Sequence, residues 1–294
     1  MTWKKTKIFK IQEIWPILPA ALYLLGFLII VLLYLLGLSF SNTARGVFPT
    51  LETYAEVFGM PEFREALLNT LVFVIIGTPL ELFVGLFLAL LLYKSFVLRN
   101  FIRSLVLIPL AIPALVTAII LFILFDFPGG HVNHLLLGKY DAVPQIIQAP
   151  VNWRGAKIFS LGISLLGKVW RDMPISMLII LSGLNSIDPE LFDAARTMGA
   201  GLRQQLRRII LPLIIPSMSA VVLLRSIEMW KEFIFPFVLA GQHNLLGTLI
   251  ESFYNNWGYA DKAAVVALVL VGCIVCTSLL LILAAELNKR IVQG

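Results

Sequence analysis

The chain has 294 residues, of which 59% are hydrophobic and 14% are charged, and its formal net charge is +6. Its mean hydropathy of +0.92 is high, and a water-soluble domain could not bury so large a fraction of apolar residues in its core. Most of the chain is therefore predicted to lie in lipid. The positive charge does not indicate nucleic acid binding, because the basic residues flank apolar runs instead of forming a soluble basic face.

Six apolar runs are long enough to cross a bilayer. Lipid offers the backbone no hydrogen bonds, so each crossing should be a helix of about 20 apolar residues. We therefore expect an all-α, polytopic membrane protein with six transmembrane helices. The first run is too long for the apolar part of a signal peptide, so it is expected to stay in the protein. The runs are 17–40, 71–92, 105–125, 161–184, 211–239 and 263–285, and the prolines expected to kink them are Pro79, Pro109, Pro113, Pro174 and Pro216.

The distribution of Lys and Arg predicts the orientation of these helices. Positive residues are retained on the cytoplasmic side of a membrane. They concentrate in segments 1–10, 94–103, 196–208 and 289–290, which alternate along the chain with segments that hold fewer of them. This asymmetry predicts a multi-pass protein of the cell membrane, in contact with membrane lipid, with both termini in the cytoplasm.

No metal site or catalytic centre is expected. Cys273 and Cys276 lie three residues apart, but no second pair of ligands accompanies them, so they are predicted to be buried apolar side chains. His131, His134 and His243 are scattered in loops without a ligand pattern around them.

One segment imitates a nucleotide-binding motif. Residues 162–169 read GISLLGKV, which fits the first seven positions of a phosphate-binding loop. The eighth position is Val169, where a Ser or Thr must reach the magnesium ion, and the setting is a membrane span. The chain is therefore predicted to hold no nucleotide of its own.

A polar loop between the fourth and fifth runs has the signals of a helix followed by a sharp turn. Asp188 can cap the helix, Pro189 suits its first position and Glu190 complements the positive end of its dipole. Gly199 can end it in the left-handed conformation. The apolar residues at helical spacing are Leu191, Ala194, Ala195 and Met198.

A second helical pattern follows the turn and leads into the fifth run. Leu202, Leu206, Ile209 and Ile210 form an apolar stripe, while Arg203 and Arg207 lie one turn apart on a basic face. The segment is expected to lie at the inner membrane surface. By composition alone, it fits a helix that rests among the lipid headgroups as well as it fits a docking element.

The spacing of the loop resembles one family. Asp193, Ala194 and Ala195 are followed after three residues by Gly199 and after nine more by Ile209, Leu211 and Pro212. This is similar to the E-A-A, G, I-x-L-P signature of the permease subunits of binding-protein-dependent ABC importers, with Asp193 in place of Glu. The flanking helices resemble the carbohydrate-uptake branch related to the maltose and glycerol-phosphate permeases.

The resemblance implies a function, partners and a domain organisation. The chain would form one permease domain, 1–294, with a coupling loop at 185–212 that seats on a separate ATPase. It would pair with a second permease and with two ATPase subunits, which bind ATP and magnesium. An extracytoplasmic binding protein would deliver a sugar or oligosaccharide, or alternatively a glycerol-phosphate or polyol. The residues implied for docking are Asp188, Pro189, Glu190, Leu191, Asp193, Ala194, Ala195, Met198, Gly199, Arg203, Arg207, Ile209, Leu211 and Pro212.

The fourth and fifth runs contain charged residues, which are expected to face a cavity or a partner because placing a charge in lipid is unfavourable in free energy. At about 1.5 Å per residue, Lys168 to Asp172 lie roughly 10 to 16 Å below the outer face, and Arg225 lies roughly 20 Å above the inner one. In a core about 30 Å thick the two groups share a level. They either neutralise one another or line a substrate path with aromatic neighbours. The candidates are Glu81, Lys168, Trp170, Arg171, Asp172, Arg225, Glu228, Trp230, Lys231, Glu232 and Phe233.

Two other functions fit the sequence less well. An ion-coupled secondary transporter would use the intramembrane carboxylates but leaves the loop unexplained. A membrane-embedded enzyme would need a nucleophile with a base, or a set of zinc ligands, and neither pattern is visible.

Overall fold

The computed structural model describes Pro16 and residues 18–94, 96–140 and 143–293, and the side chains of 288–293 are outside this description. In these residues we number the α-helices α1 to α13. The basic segment 1–10 and the side chains of Lys289 and Arg290, on which the orientation partly rests, lie outside the described residues. The helices are α1 Leu18–Ser39, α2 Glu52–Gly59, α3 Pro61–Tyr93, α4 Arg99–Ala111, α5 Ala114–Leu124, α6 His131–Leu136, α7 Lys157–Asn185, α8 Pro189–Thr197, α9 Leu202–Gln205, α10 Leu211–Trp230, α11 Ile234–Leu239, α12 Leu246–Glu251 and α13 Ala260–Gln293.

The helices confirm an all-α, polytopic membrane protein. By length and composition, α1, α3, the continuous helix Leu202–Trp230 and α13 are each able to cross a bilayer. Two further crossings follow if the bent pairs α4–α5 and α7–α8 each count as one, which gives up to six in the described residues.

The predicted run 105–125 is interrupted by a sharp bend at Pro113, one of the prolines expected to kink the spans. α4 ends at Ala111, α5 starts at Ala114, and the two are bent by 91°. The cause is Pro113, which has no N–H to donate and disfavours helical geometry at the residue before it. Ile112 accordingly has an extended backbone, with φ −85° and ψ 130°. Pro79, Pro109, Pro174 and Pro216 lie inside helices.

The predicted run 211–239 is also wrong in its bounds. Its helix starts earlier, at Leu202, and passes through a π-helical turn at Leu206–Ile210 before α10. α10 ends at Trp230, and the short helix α11 follows after a break. The carboxylate of Glu232 accepts a hydrogen bond from the backbone N–H of Phe235 and so satisfies an N–H group that has no partner within α11.

Helices α3, α7 and α10 form the centre of the bundle, and α13 packs on α10 and α12. α3 and α7 approach most closely where Gly85 meets Ser176, since a Cβ at position 85 would lie 2.6 Å from the Ser176 Cβ. A similar approach brings Gly183 of α7 against Ser217 of α10. Glycine at these positions lets the backbones pack without a side chain between them.

The bundle has two ends, which we call the α8 face and the α2 face. At the α8 face, Phe192 of α8 packs on Tyr93 at the end of α3, with ring centroids 6.1 Å apart. At the α2 face, the Asp261 carboxylate accepts a hydrogen bond of 2.8 Å from the backbone N–H of Thr43. The spanning helices therefore connect two distinct surfaces.

Three minor predictions have different outcomes. Cys273 is half-buried and packs on the core, but Cys276 is exposed on the outward side of α13, so the predicted burial is wrong for Cys276. The residues 162–169 lie inside the continuous helix α7 instead of at a strand-to-helix turn. Within the described residues, no three His, Cys, Asp or Glu side chains are grouped as a metal ion would require.

Candidate functional site

The start of the polar loop has the predicted helix geometry. Asp188 is the N-cap of α8, and its Oδ1 accepts a hydrogen bond of 3.0 Å from the backbone N–H of Glu190. Pro189 occupies the first helical position, where a missing N–H costs nothing. This end of the loop is therefore stabilised by local contacts alone.

The sharp turn depends on Gly199. Its φ is +76°, and the N–H of Ala200 donates to the carbonyl of Ala195 at 2.9 Å, which is the bond expected where a glycine ends a helix. Gln205 also fastens this turn, since its buried side chain donates to the carbonyl of Ala200 at 2.9 Å. Sequence reasoning missed Gln205, because a polar residue gives no signal of such a contact.

The predicted apolar stripe of α8 does not pack inward as a whole. Ala195 is buried, but Ala194 and Leu191 are exposed, and Met198 is 87% exposed. The anchor of α8 is instead Phe192, which packs on α3. The helix therefore presents apolar side chains outward at the α8 face.

The rest of the loop is mixed in exposure. Asp193 is exposed and lies 3.4 Å from Arg196 in a surface ion pair. Arg203 and Arg207 are exposed, and Pro212 is exposed at the start of α10. Ile209 and Leu211 are half-buried where the π-helical turn joins α10.

The charges within the spans form a buried cluster between α3, α7 and the end of α10. Its centre is Lys168, whose Nζ lies 2.6 Å from Asp172 Oδ2 and 3.1 Å from Glu232 Oε2. Arg225 Nη1 lies 3.7 Å from Asp172 Oδ2. The level that sequence counting predicts for Lys168 to Asp172 and for Arg225 agrees with these contacts. The five members, all buried, are Glu81, Lys168, Asp172, Arg225 and Glu232.

The Glu81 end of the cluster is held by charge alone. Arg225 Nε lies 3.4 Å from Glu81 Oε2, but neither Glu81 oxygen has a hydrogen-bond partner among the described residues. Glu81 is completely buried. An unsatisfied carboxylate at this depth is stabilised only by the nearby cations.

A smaller group of charges forms an open edge to the cluster. Arg171 Nη1 bonds Asp172 Oδ1 at 2.5 Å and offsets the excess of three carboxylates over two cations inside. Glu228 pairs with Lys231 at 2.9 Å, and the Lys231 side chain is 53% exposed. These three side chains, Arg171, Glu228 and Lys231, are the accessible part of the charge network.

A groove also lies between α7 and α10. The groove holds about 530 Å³ on the α8 side of the network and is lined by polar Ser182 and Ser217 beside apolar residues. Ala220 also lines it, and Glu228 lies two helical turns further along the same face of α10.

The three aromatic candidates are not equivalent. Trp170 is 44% exposed on α7, whereas Trp230 is buried in the core. Phe233 is half-buried and stacks on Phe237, with ring centroids 4.9 Å apart and planes 24° apart. Phe237 is exposed and was missed from the sequence, because the break in α10 that turns it beside Phe233 was not foreseen.

Both breaks in the spanning helices touch this network. Arg171 Nε donates to the carbonyl of Ile112 at 3.4 Å, at the bend between α4 and α5. Glu232 caps α11 while it binds Lys168. The short helices α5 and α11 also pack on each other and on α7. Lys168 and Arg171, which lie within one turn of α7, therefore contact both helix breaks, the bend between α4 and α5 and the junction between α10 and α11.

Comparisons with known proteins agree with this architecture. Residues 81–293 match the family described as "Binding-protein-dependent transport system inner membrane component". The trehalose/maltose transport system permease protein MalF of Thermococcus litoralis is 29% identical, over 76% of this chain and 76% of that protein. The probable ABC transporter permease protein y4oQ of Sinorhizobium fredii is 31% identical, over 83% of this chain and 79% of the relative.

A solved structure shares the fold. It is a chain of the bacterial alginate ABC transporter in complex with an alginate pentasaccharide-bound periplasmic protein. Its TM-score is 0.77 at 20% identity, and the match covers 96% of each chain. With the family match over most of its length, the chain belongs to the inner-membrane components of binding-protein-dependent transport systems.

Proposed function

We propose that this chain is the permease subunit of an ATP-driven importer and forms, with a second permease, the path for a sugar or oligosaccharide. The observation that carries the proposal is the loop 188–212 on a family member of this fold. It combines a capped helix, a turn that requires Gly199, and outward-facing apolar side chains at one end of a membrane bundle. Such a surface fits a docking partner better than it fits water.

The partner at the α8 face would be an ATPase. Leu191 and Met198 offer apolar contact area, and the exposed cations Arg196, Arg203 and Arg207 surround it. The energy of ATP binding and hydrolysis in two such subunits would move α8 and, through Phe192, the end of α3. The ATP and magnesium would belong to those subunits.

The α8 face also supports the predicted orientation of the chain in the membrane. Lys94, Arg99 and Arg103 are placed at the α8 end together with the loop cations. The excess of positive residues supports an α8 face in the cytoplasm. The α2 face would then meet the extracytoplasmic binding protein that delivers the cargo.

The cargo is inferred from the relatives and from the open edge. MalF of Thermococcus litoralis carries the name of a trehalose/maltose permease, which supports a sugar here. Glu228 and Lys231 offer a hydrogen-bond acceptor and a donor for hydroxyl groups, and Phe237 and Trp170 have exposed rings. The α7–α10 groove would carry the path toward the α8 face.

The buried charges would have a structural role in this mechanism. Glu81, Lys168, Asp172, Arg225 and Glu232 are closed off and neutralise one another with Arg171. They would hold α3, α7 and α10 together while α5 and α11 move about their breaks. Alternating access requires two arrangements of the bundle, and helix breaks are places where such motion is absorbed.

Reconstitution tests the proposal. The chain would be co-expressed with the permease, ATPase and binding-protein genes that neighbour it, purified by one tag, and placed in vesicles. We expect the ATPase to co-purify and uptake of the sugar held by the binding protein to require ATP inside the vesicle. A chain that transports fully by itself, without response to ATP, would exclude the proposal and favour a secondary transporter.

A further inference from the structure

An apolar groove runs between α3 and α7 on the α2 side of the charge network. It encloses about 570 Å³, which is within the range of small-molecule sites. Its walls are Leu68, Val72 and Ile76 of α3 and Ile158, Leu161 and Leu165 of α7. Ile158 is 78% exposed and Ile76 is 52% exposed, so the groove opens outward from the bundle.

The groove is shorter than a membrane is thick. Leu68 and Ile76 are eight positions apart, or about 12 Å along the helix. Below this level the helices close, since a Cβ at Gly77 would lie 2.8 Å from the Leu165 side chain. The helices are also in contact at Gly85 and Ser176. A hydrocarbon core of about 30 Å has leaflets of about 15 Å, so the groove fits within one leaflet.

Two opposite charges lie at the α2 end of the groove. Lys157 is the first residue of α7 and lines the groove, and its Nζ lies 3.0 Å from Glu65 Oε1 on the turn of α3 before Leu68. Both side chains are 46% exposed. His243 is the other ionisable group beside them, with Nδ1 3.7 Å from the same Glu65 oxygen.

We propose that this groove binds an acyl chain of a zwitterionic phospholipid, of the phosphatidylethanolamine type, from the leaflet on the α2 face. The lipid phosphate would lie on the Lys157 ammonium and the lipid ammonium on the Glu65 carboxylate. An anionic headgroup without an amine fits less well, because its phosphate meets Lys157 but nothing offsets its repulsion by Glu65.

A helix of the second permease is a poorer occupant. A spanning helix follows a groove across about 30 Å of hydrocarbon, whereas this groove closes after about 12 Å. Because α3 and α7 are in contact at Gly77, the groove would not accommodate such a helix through the rest of the membrane. A lipid chain ends within its own leaflet, so it fits the depth that the two helices leave open.

Position 162 allows a direct test in the assembled transporter. Gly162 lines the groove, and a Cβ there would meet nothing within 4 Å, so Gly162→Phe fills the site without a clash at the backbone. Gly272→Phe in α13 is the matched control, since a Cβ at position 272 is equally free. Native mass spectrometry of the purified complex would count bound phosphatidylethanolamine.

We expect Gly162→Phe to remove one bound phosphatidylethanolamine per chain and Gly272→Phe to remove none. Lys157→Gln should weaken retention about tenfold, the effect of losing one charge-assisted hydrogen bond of about 1.5 kcal/mol. Undiminished lipid in Gly162→Phe would overturn the proposal. Equal retention of phosphatidylglycerol and phosphatidylethanolamine in the unaltered complex would overturn the headgroup assignment.

A cross-linking variant covers the case in which Gly162→Phe fails to assemble. Gly162→Cys keeps the site open and would be labelled with a photoreactive thiol probe in the intact complex. Cross-links to phospholipid support the proposal. Cross-links to the second permease overturn it and identify the groove as a subunit interface.

Discussion

Lys168 of α7 and Glu232 form a salt bridge of 3.1 Å across the junction where α10 gives way to α11. The Lys168 side chain is 4% exposed and also binds Asp172 on its own helix. Because Glu232 caps α11 at the same time, one ammonium group supports the geometry of a helix break. The contact is therefore more than a neutralised pair, since it fixes where the chain turns.

We expect Lys168→Met to be strongly destabilising. The change leaves Glu232 buried without its cation, and removing one partner of a buried pair costs about 3–5 kcal/mol. Lys231→Met is the control, because its pair with Glu228 is exposed and such pairs contribute about 0–1 kcal/mol. The thermal unfolding midpoints of the two purified complexes provide the comparison.

A second substitution separates charge from packing. Adding Glu232→Gln to Lys168→Met removes the uncompensated carboxylate and should recover part of the lost stability, since the amide oxygen can still accept from Phe235. If Lys168→Met and Lys231→Met unfold at the same temperature, the buried pair does not stabilise the junction.

Much of this network could be predicted from the sequence, and the reason is geometric. A helix rises a fixed distance per residue, so counting along two spans brings Lys168 to Asp172 and Arg225 to one level. The structure agrees, with Arg225 3.7 Å from Asp172. Counting fails at the breaks, because hydropathy does not record backbone direction. The apolar run 105–125 bends by 91° at Pro113, and the helix of the run 211–239 ends at Trp230.

In the loop, too, the local features could be predicted from the sequence and the tertiary contacts could not. The cap at Asp188 and the turn at Gly199 are local, so the residue types alone predict them. The side chains that fasten the loop to the bundle, Phe192 and Gln205, were missed because their partners are set by tertiary packing and by the turn itself. The outward exposure of Met198 also depends on how α8 rests on α3, and helical spacing does not determine it.

The open edge of the network should matter more for transport than an exposed carboxylate elsewhere. Glu228→Gln removes the charge that binds Lys231 and lies 3.8 Å from Lys168. We expect it to lower ATP-driven uptake or subunit assembly more than Glu62→Gln, which changes an exposed residue in the first turn of α3. Initial uptake rates in vesicles, normalised to assembled complex, measure the difference. Equal and negligible effects would show that Glu228 has no part in the path.

The packing of α5 and α11 on α7 is tested by two glycines in one helix. A Cβ at Gly167 would lie 2.5 Å from Leu121 of α5 and 2.7 Å from Phe235 of α11. Gly167→Ala should therefore cost about 1–3 kcal/mol by overpacking. Gly162→Ala adds the same methyl group where nothing lies within 4 Å. The thermal unfolding midpoints of the two complexes should differ by several degrees. Identical midpoints would mean that α5 and α11 shift to accommodate the added methyl group at no cost in stability.

The loop turn offers the sharpest test of coupling. Gly199→Val forces a β-branched residue to a φ of +76°, where L side chains are strained by about 1–2 kcal/mol or more. The turn should rearrange and displace α8, so we expect normal membrane insertion, ATPase activity that no longer responds to the loaded binding protein, and loss of uptake. Gly201→Val is the control, because Gly201 has a φ of −69° and a Cβ there meets nothing within 4 Å. Uptake that remains coupled to ATP in Gly199→Val would mean that the geometry of this turn does not transmit motion between the ATPase and the bundle.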